Sequence, residues 1–198
     1  MSLRYALLAM LSAGPMTGYE ISRRFQSTVG FLWHAPDSQI YPELRKMEDD
    51  GLVAGEDEAG GGPRGTKRRY EITDAGVRAL RDWMETTPRY APDRDPAHLR
   101  AAYFEWASPE AARRALEAHI AHYAARIVQW EKQIYEIDER VNDVLVRRLE
   151  HLPEDERSRA AAFKRFSYEG LIARAETEIA WAQRGLRLVE RYPAPERA

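Results

Sequence analysis

Residues 38–53 read SQIYPELRKMEDDGLV. At 100° per residue, Ile40, Leu44 and Met47 fall on one face, which a helix must bury. Ser38, Pro42, Arg45 and Asp49 fall opposite, and Gln39, Tyr41 and Lys46 flank them. Asp37 or Ser38 is placed to cap the start, so Pro42 lies in or just after the first turn, where a missing N–H costs little. Gly51 is the stop. The outer face is therefore compact and hydrogen-bonding in its first half and acidic at its end, through Glu48, Asp49 and Asp50. The DNA major groove admits a face of the first kind: glutamine pairs with adenine, serine serves several bases, and arginine reaches guanine or a phosphate. The acids would repel DNA, so contact belongs to Ser38, Gln39 and Arg45.

The flanking segments fit this helix. Before it, Leu3, Leu7, Leu8 and Leu11 recur at helical spacing. The run has the outline of a secretory signal, but its apolar stretch from Tyr5 to Leu11 is short, and it reads as a buried first helix. Gly14-Pro15 marks a turn, Thr17 is an N-cap, and a second helix carries Tyr19, Ile21 and Phe25. After the SQIYPELRK helix, GLVAGED and KRRYEIT are strand-like runs around a glycine-rich hairpin, EAGGGPRGT. Thr73 or Asp74 then caps a fourth helix. Three helices, a hairpin and a helix is the order of a winged helix-turn-helix. Arg64, Lys67, Arg68 and Arg69 make the wing basic, as a phosphate clamp requires. Against this, residues 1–87 hold 11 Lys and Arg against 13 Asp and Glu, so binding would rest on local clusters and on two copies acting together.

Residues 88–96, PRYAPDRDP, read as a linker between a first domain, 1–87, and a helical one, 97–198. Ser108-Pro109-Glu110 is a strong helix start. From there Ile120, Tyr123, Ile127, Trp130, Ile134, Ile137, Val141 and Val144 step by threes and fours as a coiled-coil seam, broken at Pro153. Ile172, Ala175, Ile179, Ala182, Leu186 and Val189 repeat the rhythm. Two long antiparallel helices make a thin core, so a second copy of the chain is expected to complete the seam. The expected class is mainly α: a winged helix-turn-helix with a two-stranded wing, followed by an antiparallel, coiled-coil-like dimerisation domain.

LLAMLSAGPMTGYEI, SQIYPELRKMEDDGLV and RRYEITDAGVRAL together resemble the PadR family of bacterial transcriptional regulators, over about residues 5–83. The second half is similar in length and helical layout to the longer members, which include virulence-gene activators. The resemblance implies a cytoplasmic homodimer on a near-palindromic operator in double-stranded DNA, usually a repressor released by a small molecule or another signal. It also implies that the third helix enters the groove through Ser38, Gln39, Tyr41, Pro42 and Arg45, and that the wing meets backbone through Lys67, Arg68 and Arg69. Tyr19 matches the family's GYE pattern and touches phosphate or braces the motif.

The remaining composition excludes more than it assigns. With no cysteine there is neither a disulfide framework nor a thiolate metal site, and a reducing compartment fits. No stretch approaches the ~20 apolar residues of a membrane span. The order Gly65-Thr66-Lys67 reverses the phosphate-loop motif and sits between strands. His119 and His122 share a helix face without a third ligand at helical spacing, so no metal is expected. Trp106 and Trp130 are candidates for the wall of an effector pocket. No catalytic motif appears, so the chain is not read as an enzyme, and no cofactor is implied. The alternative is a winged-helix module that binds protein, with the coiled coil as its scaffold.

Overall fold

The computed structural model describes residues 2–27, 30, 32–59, 66–88 and 94–192. The chain forms two compact units, Met1–Arg89 with Glu139–Ala161, and Tyr90–Asp138 with Ala162–Ala198. The segment 139–161 thus groups with the N-terminal elements and not with the helices on either side of it.

The first unit opens with α1 (Ser2–Leu11), a two-residue strand β1 (Met16–Thr17), α2 (Gly18–Ser27) and α3 (Asp37–Asp49). Strands β2 (Val53–Ala59) and β3 (Thr66–Ile72) follow, then α4 (Asp74–Met84). The sheet is antiparallel in the order β1-β3-β2, with Val53 opposite Ile72 and Ala59 opposite Thr66. It has three strands where the sequence indicates two, because Met16 and Thr17 pair with Tyr70 and Arg69. A two-residue strand is too short to show a period, and only its partner reveals it.

Thr17 and Glu20 form a reciprocal capping box at the start of α2. The Thr17 N–H donates to Glu20 Oε2 at 2.8 Å, and the Glu20 N–H to Thr17 Oγ1 at 3.3 Å. The Thr17 N–H foremost, and its hydroxyl donating to the same Oε2 at 3.0 Å, hold the Glu20 carboxyl below the usual carboxylate range. Thr73 caps α4 by accepting from the Gly76 N–H at 3.1 Å. The core gathers Leu7, Leu8 and Leu11 of α1, Ile21 and Phe25 of α2, and Ile40, Leu44 and Met47 of α3, closed by Val53 and Tyr70. Val144 joins it from the 139–161 segment.

The second unit contains α5 (Pro96–Ala101), a 3₁₀ turn (Phe104–Trp106), α6 (Pro109–Asp138) and most of α8 (Glu154–Arg191). Arg113 pairs with Glu190 and His119 with Glu178, so α6 and α8 run antiparallel. They approach closely where a Cβ on Gly185 would lie 3.0 Å from the Leu116 side chain. Their shared stripe buries Ala112, Leu116, Trp130, Ile137, Tyr168, Ala175 and Ala182.

The seam does not run unbroken to Pro153. α6 ends at Asp138, Arg140 takes a left-handed φ of 53°, and Asn142 accepts from the Leu145 N–H to start α7 (Asp143–Glu150). Val141 is exposed, and Val144 turns into the first unit's core. Burial of Val144 and Leu145 outweighs the heptad rhythm that would have kept α6 growing.

Candidate nucleic-acid interface

Residues from α2 position the start of α3. The Ser22 hydroxyl donates to the Asp37 carboxylate at 2.5 Å, and the Gln26 amide donates to the Ala35 carbonyl at 2.7 Å. Asp37 is the first helical residue, and no side chain caps the helix; Pro36 precedes it in extended conformation. Pro42 lies in the second turn. The Tyr41 ring lies against the start of α2, and a Cβ on Gly18 would come within 2.9 Å of it, so a side chain there would force the ring to shift. Burial raises the Tyr41 hydroxyl above its usual pKa.

The far end of α3 closes in a Schellman motif. The Leu52 N–H donates to Met47 O at 2.8 Å, the Gly51 N–H donates to Glu48 O at 2.9 Å, and Gly51 has a φ of 70°. The acids there are held internally. Arg4 of α1 bonds Glu43 at 2.8 Å and Asp50 at 2.7 Å. Glu48 bonds Arg68 of β3. Asp49 remains exposed. The acidic run that the sequence places away from DNA thus serves largely to anchor the helix.

Ser38, Gln39, Pro42, Arg45 and Lys46 are left exposed along the outer face, with Tyr41 half-buried at its edge. Tyr19, at the start of α2, is 67 % exposed. On the wing, Lys67 is exposed, while both neighbouring arginines engage acids of the same chain. Arg68 spans Glu48 and Asp57. Arg69 pairs with Glu58 and donates to the Pro15 carbonyl at 3.1 Å. Arg64 lies outside the described residues. The sequence shows four wing cations; it does not show these pairings, although a glycine inside a strand, Gly55, is their one local signal.

Within the second unit, a cavity of about 1030 Å³ has aromatic walls, among them Phe104, Trp106, Trp181 and Tyr192, with His98 and Arg184 as polar groups. Trp106 lines it. Trp130 does not: it is 3 % exposed in the α6–α8 stripe, with the Arg126 guanidinium 4.7 Å from its ring centre. Both indoles look alike in sequence, and only burial separates them. His98 stacks on Trp181 at 3.9 Å, with Nδ1 2.8 Å from Asp95 and Nε2 3.8 Å from Glu178. The ring bridges two carboxylates through opposite nitrogens, and one ligand atom from each of Asp95, His98 and Glu178 lies within 4.8 Å of the other two. His119 bonds Glu178 at 3.2 Å while His122 is exposed, so these two histidines do not converge.

Residues 7–82 match the family model described as the transcriptional regulator PadR-like family. The negative transcriptional regulator PadR of Bacillus subtilis is 39% identical over 82 residues, covering 41% of this chain and 44% of that protein. A probable transcriptional regulator of Mycobacterium tuberculosis is 37% identical over 84 residues, covering 42% and 44%. The chain thus spans less than half the length of the curated relatives it matches. Among solved structures, B. subtilis PadR in complex with operator DNA superimposes with a TM-score of 0.72 at 23% identity, over 96% of this chain and 99% of that one. The same protein in complex with p-coumaric acid gives 0.65 at 22% identity, over 95% of each. The Vibrio cholerae virulence activator AphA gives 0.56 at 22% identity, over 96% and 98%. The fold is that of these winged-helix proteins with long C-terminal helices.

Proposed function

With residues 7–82 forming a PadR-like transcriptional-regulator domain, we propose that this chain is a homodimeric, sequence-specific DNA-binding repressor released by a small molecule. The observation that carries the reading is the outer face of α3, where Ser38, Gln39, Pro42 and Arg45 stand exposed while Ile40, Leu44 and Met47 are fully buried beneath them. Ser38, Gln39 and Arg45 read base edges, Tyr41 and Pro42 shape the approach, and Tyr19 and Lys67 meet phosphate. A regulator of this kind works beside the chromosome, in the cytoplasm.

The second copy covers the apolar residues that α6 and α8 leave outward, among them Val128, Tyr135, Phe163 and Phe166. A two-fold pair of domains meets an inverted repeat whose half-sites lie about one DNA turn apart. The effector is a small aromatic molecule held among Trp106, Trp181 and Tyr192, the class to which the p-coumaric acid of the PadR complex belongs.

Selection from random duplex DNA at two salt concentrations tests the reading. The expected result is an enriched inverted repeat whose binding falls steeply with salt. No enrichment by a folded, dimeric protein would favour the protein-binding alternative. Gln39→Ala should relax the consensus more than it weakens affinity; an unchanged consensus would remove Gln39 from base reading. Sedimentation of Val128→Asp with Phe166→Asp should show the monomer mass, and an unaltered mass would place the dimer contact elsewhere.

A further inference from the structure

In sequence, Lys67, Arg68 and Arg69 are one basic run; the structure separates them. All three kinds of guanidinium nitrogen of Arg68 are in use. Nε donates to Glu48 Oε2 at 3.1 Å, Nη2 donates to Glu48 Oε1, and Nη1 donates to Asp57 Oδ1 at 2.8 Å. Glu48 is on α3, in the turn after Leu44, and Asp57 faces Arg68 across the β2–β3 ladder. One side chain therefore ties the wing to the recognition helix.

As placed, the fork occupies the space that a side chain on residue 55 would need. A Cβ there would lie 2.5 Å from Glu48 Oε1 and 2.7 Å from Arg68 Nε. Glycine inside a strand weakens it, so its presence calls for a reason, and passage of the Arg68–Glu48 pair over β2 supplies one. Two carboxylates face one guanidinium, giving the cluster a charge of about −1 at neutral pH. A phosphate would have to displace a bidentate carboxylate and approach a second one. Lys67, one residue earlier, points to the other face of the ladder, is exposed and enters none of these pairs.

We propose that Arg68 is a positioning residue of the DNA interface, holding the wing against α3 through Glu48, and that among the described residues of the wing the phosphate contact falls to Lys67. This rests on the DNA-binding reading above, but the brace itself is present in the free protein and can be read there.

The full chain is compared with Arg68→Gln, Arg68→Lys, Glu48→Gln, the Glu48→Gln/Arg68→Gln double variant and Lys67→Gln. Binding to the selected duplex is measured over a salt series. Lys67→Gln should lower the slope of log K against log salt by about 0.9, one phosphate's worth. Arg68→Gln and Glu48→Gln should each weaken binding by about threefold to tenfold with the slope unchanged, and the double variant should be no weaker than either. Arg68→Lys should behave like Arg68→Gln, since an ammonium keeps the charge and loses the fork. If Glu48→Gln tightens binding, or Arg68→Gln lowers the slope by about 0.9 while Arg68→Lys restores it, Arg68 is a phosphate contact and the proposal is overturned. Hydrogen exchange of the β2 and β3 amides without DNA is the independent readout. It should quicken by about threefold in both Arg68→Gln and Glu48→Gln. Unaltered rates would overturn the brace. If the wild-type chain binds no duplex while exchange still quickens in Arg68→Gln and Glu48→Gln, the DNA-binding function is sunk and the brace stands.

Discussion

The outer face of α3 and the outer faces of α6 and α8 are both open to solvent, but their chemistry differs. On α3 the exposed side chains are Ser38, Gln39, Pro42, Arg45 and Lys46, and acids nearby are tied to Arg4 and Arg68. On α6 and α8 the exposed set includes Val128, Tyr135, Phe163 and Phe166, the last 68 % exposed. Scattered exposed hydrophobics are ordinary, but a series of them along paired helices asks for an apolar partner. A polar face on a helix pinned at both ends asks for a polar one. The difference teaches that the two units present distinct kinds of surface.

Burial separates the residue beneath the α3 face from those on the α6 and α8 faces. Leu44→Ala should destabilise the first unit by about 2–5 kcal/mol, because Leu44 is fully buried among α1, α2 and the sheet. Phe166→Ala should change the stability of the monomer by less than about 0.5 kcal/mol. Denaturant unfolding of a monomeric variant measures both, and equal losses would break the comparison.

Two glycines extend it. A Cβ on Gly76 would run into the Leu52 carbonyl, which is backbone and cannot swing away, so Gly76→Ala should cost about 1–3 kcal/mol. At Gly185 the obstacle is the Leu116 side chain at 3.0 Å, which can shift, and Gly185→Ala should cost less or gain from helix propensity. Thermal unfolding of the two variants should rank them in that order. Thr73→Ala removes the α4 cap and the hydroxyl's bond to the Gly51 carbonyl, and should cost about 1 kcal/mol.

The smallest effect concerns pH. The folded-state pKa of Glu20 is depressed, so its ionised form is favoured by folding. Its contribution is present above the ordinary glutamate value of about 4.3 and is lost as pH falls through that value and below. Glu20→Gln should therefore flatten the acid limb of a stability–pH curve. An acid limb identical to wild type would remove the capping box from the pH response.

Local physics was enough to read much of the first unit. The buried stripe Ile40, Leu44 and Met47, the stop at Gly51 and the caps at Thr17 and Thr73 all depend on neighbours within a turn or two, and each is legible from spacing and residue type. The polar outer face of α3 followed from the same helical period. What tertiary structure decided involves partners far apart in the chain. Arg68 meets Glu48 twenty residues away, Tyr70 recruits Met16 as a strand, and Val144 leaves the heptad for the core of the first unit. Likewise the pocket takes Trp106 and not Trp130. A sequence period specifies which side of a helix is apolar or polar; only the folded chain specifies which distant group that side meets, because burial and charge pairing are settled by three-dimensional proximity.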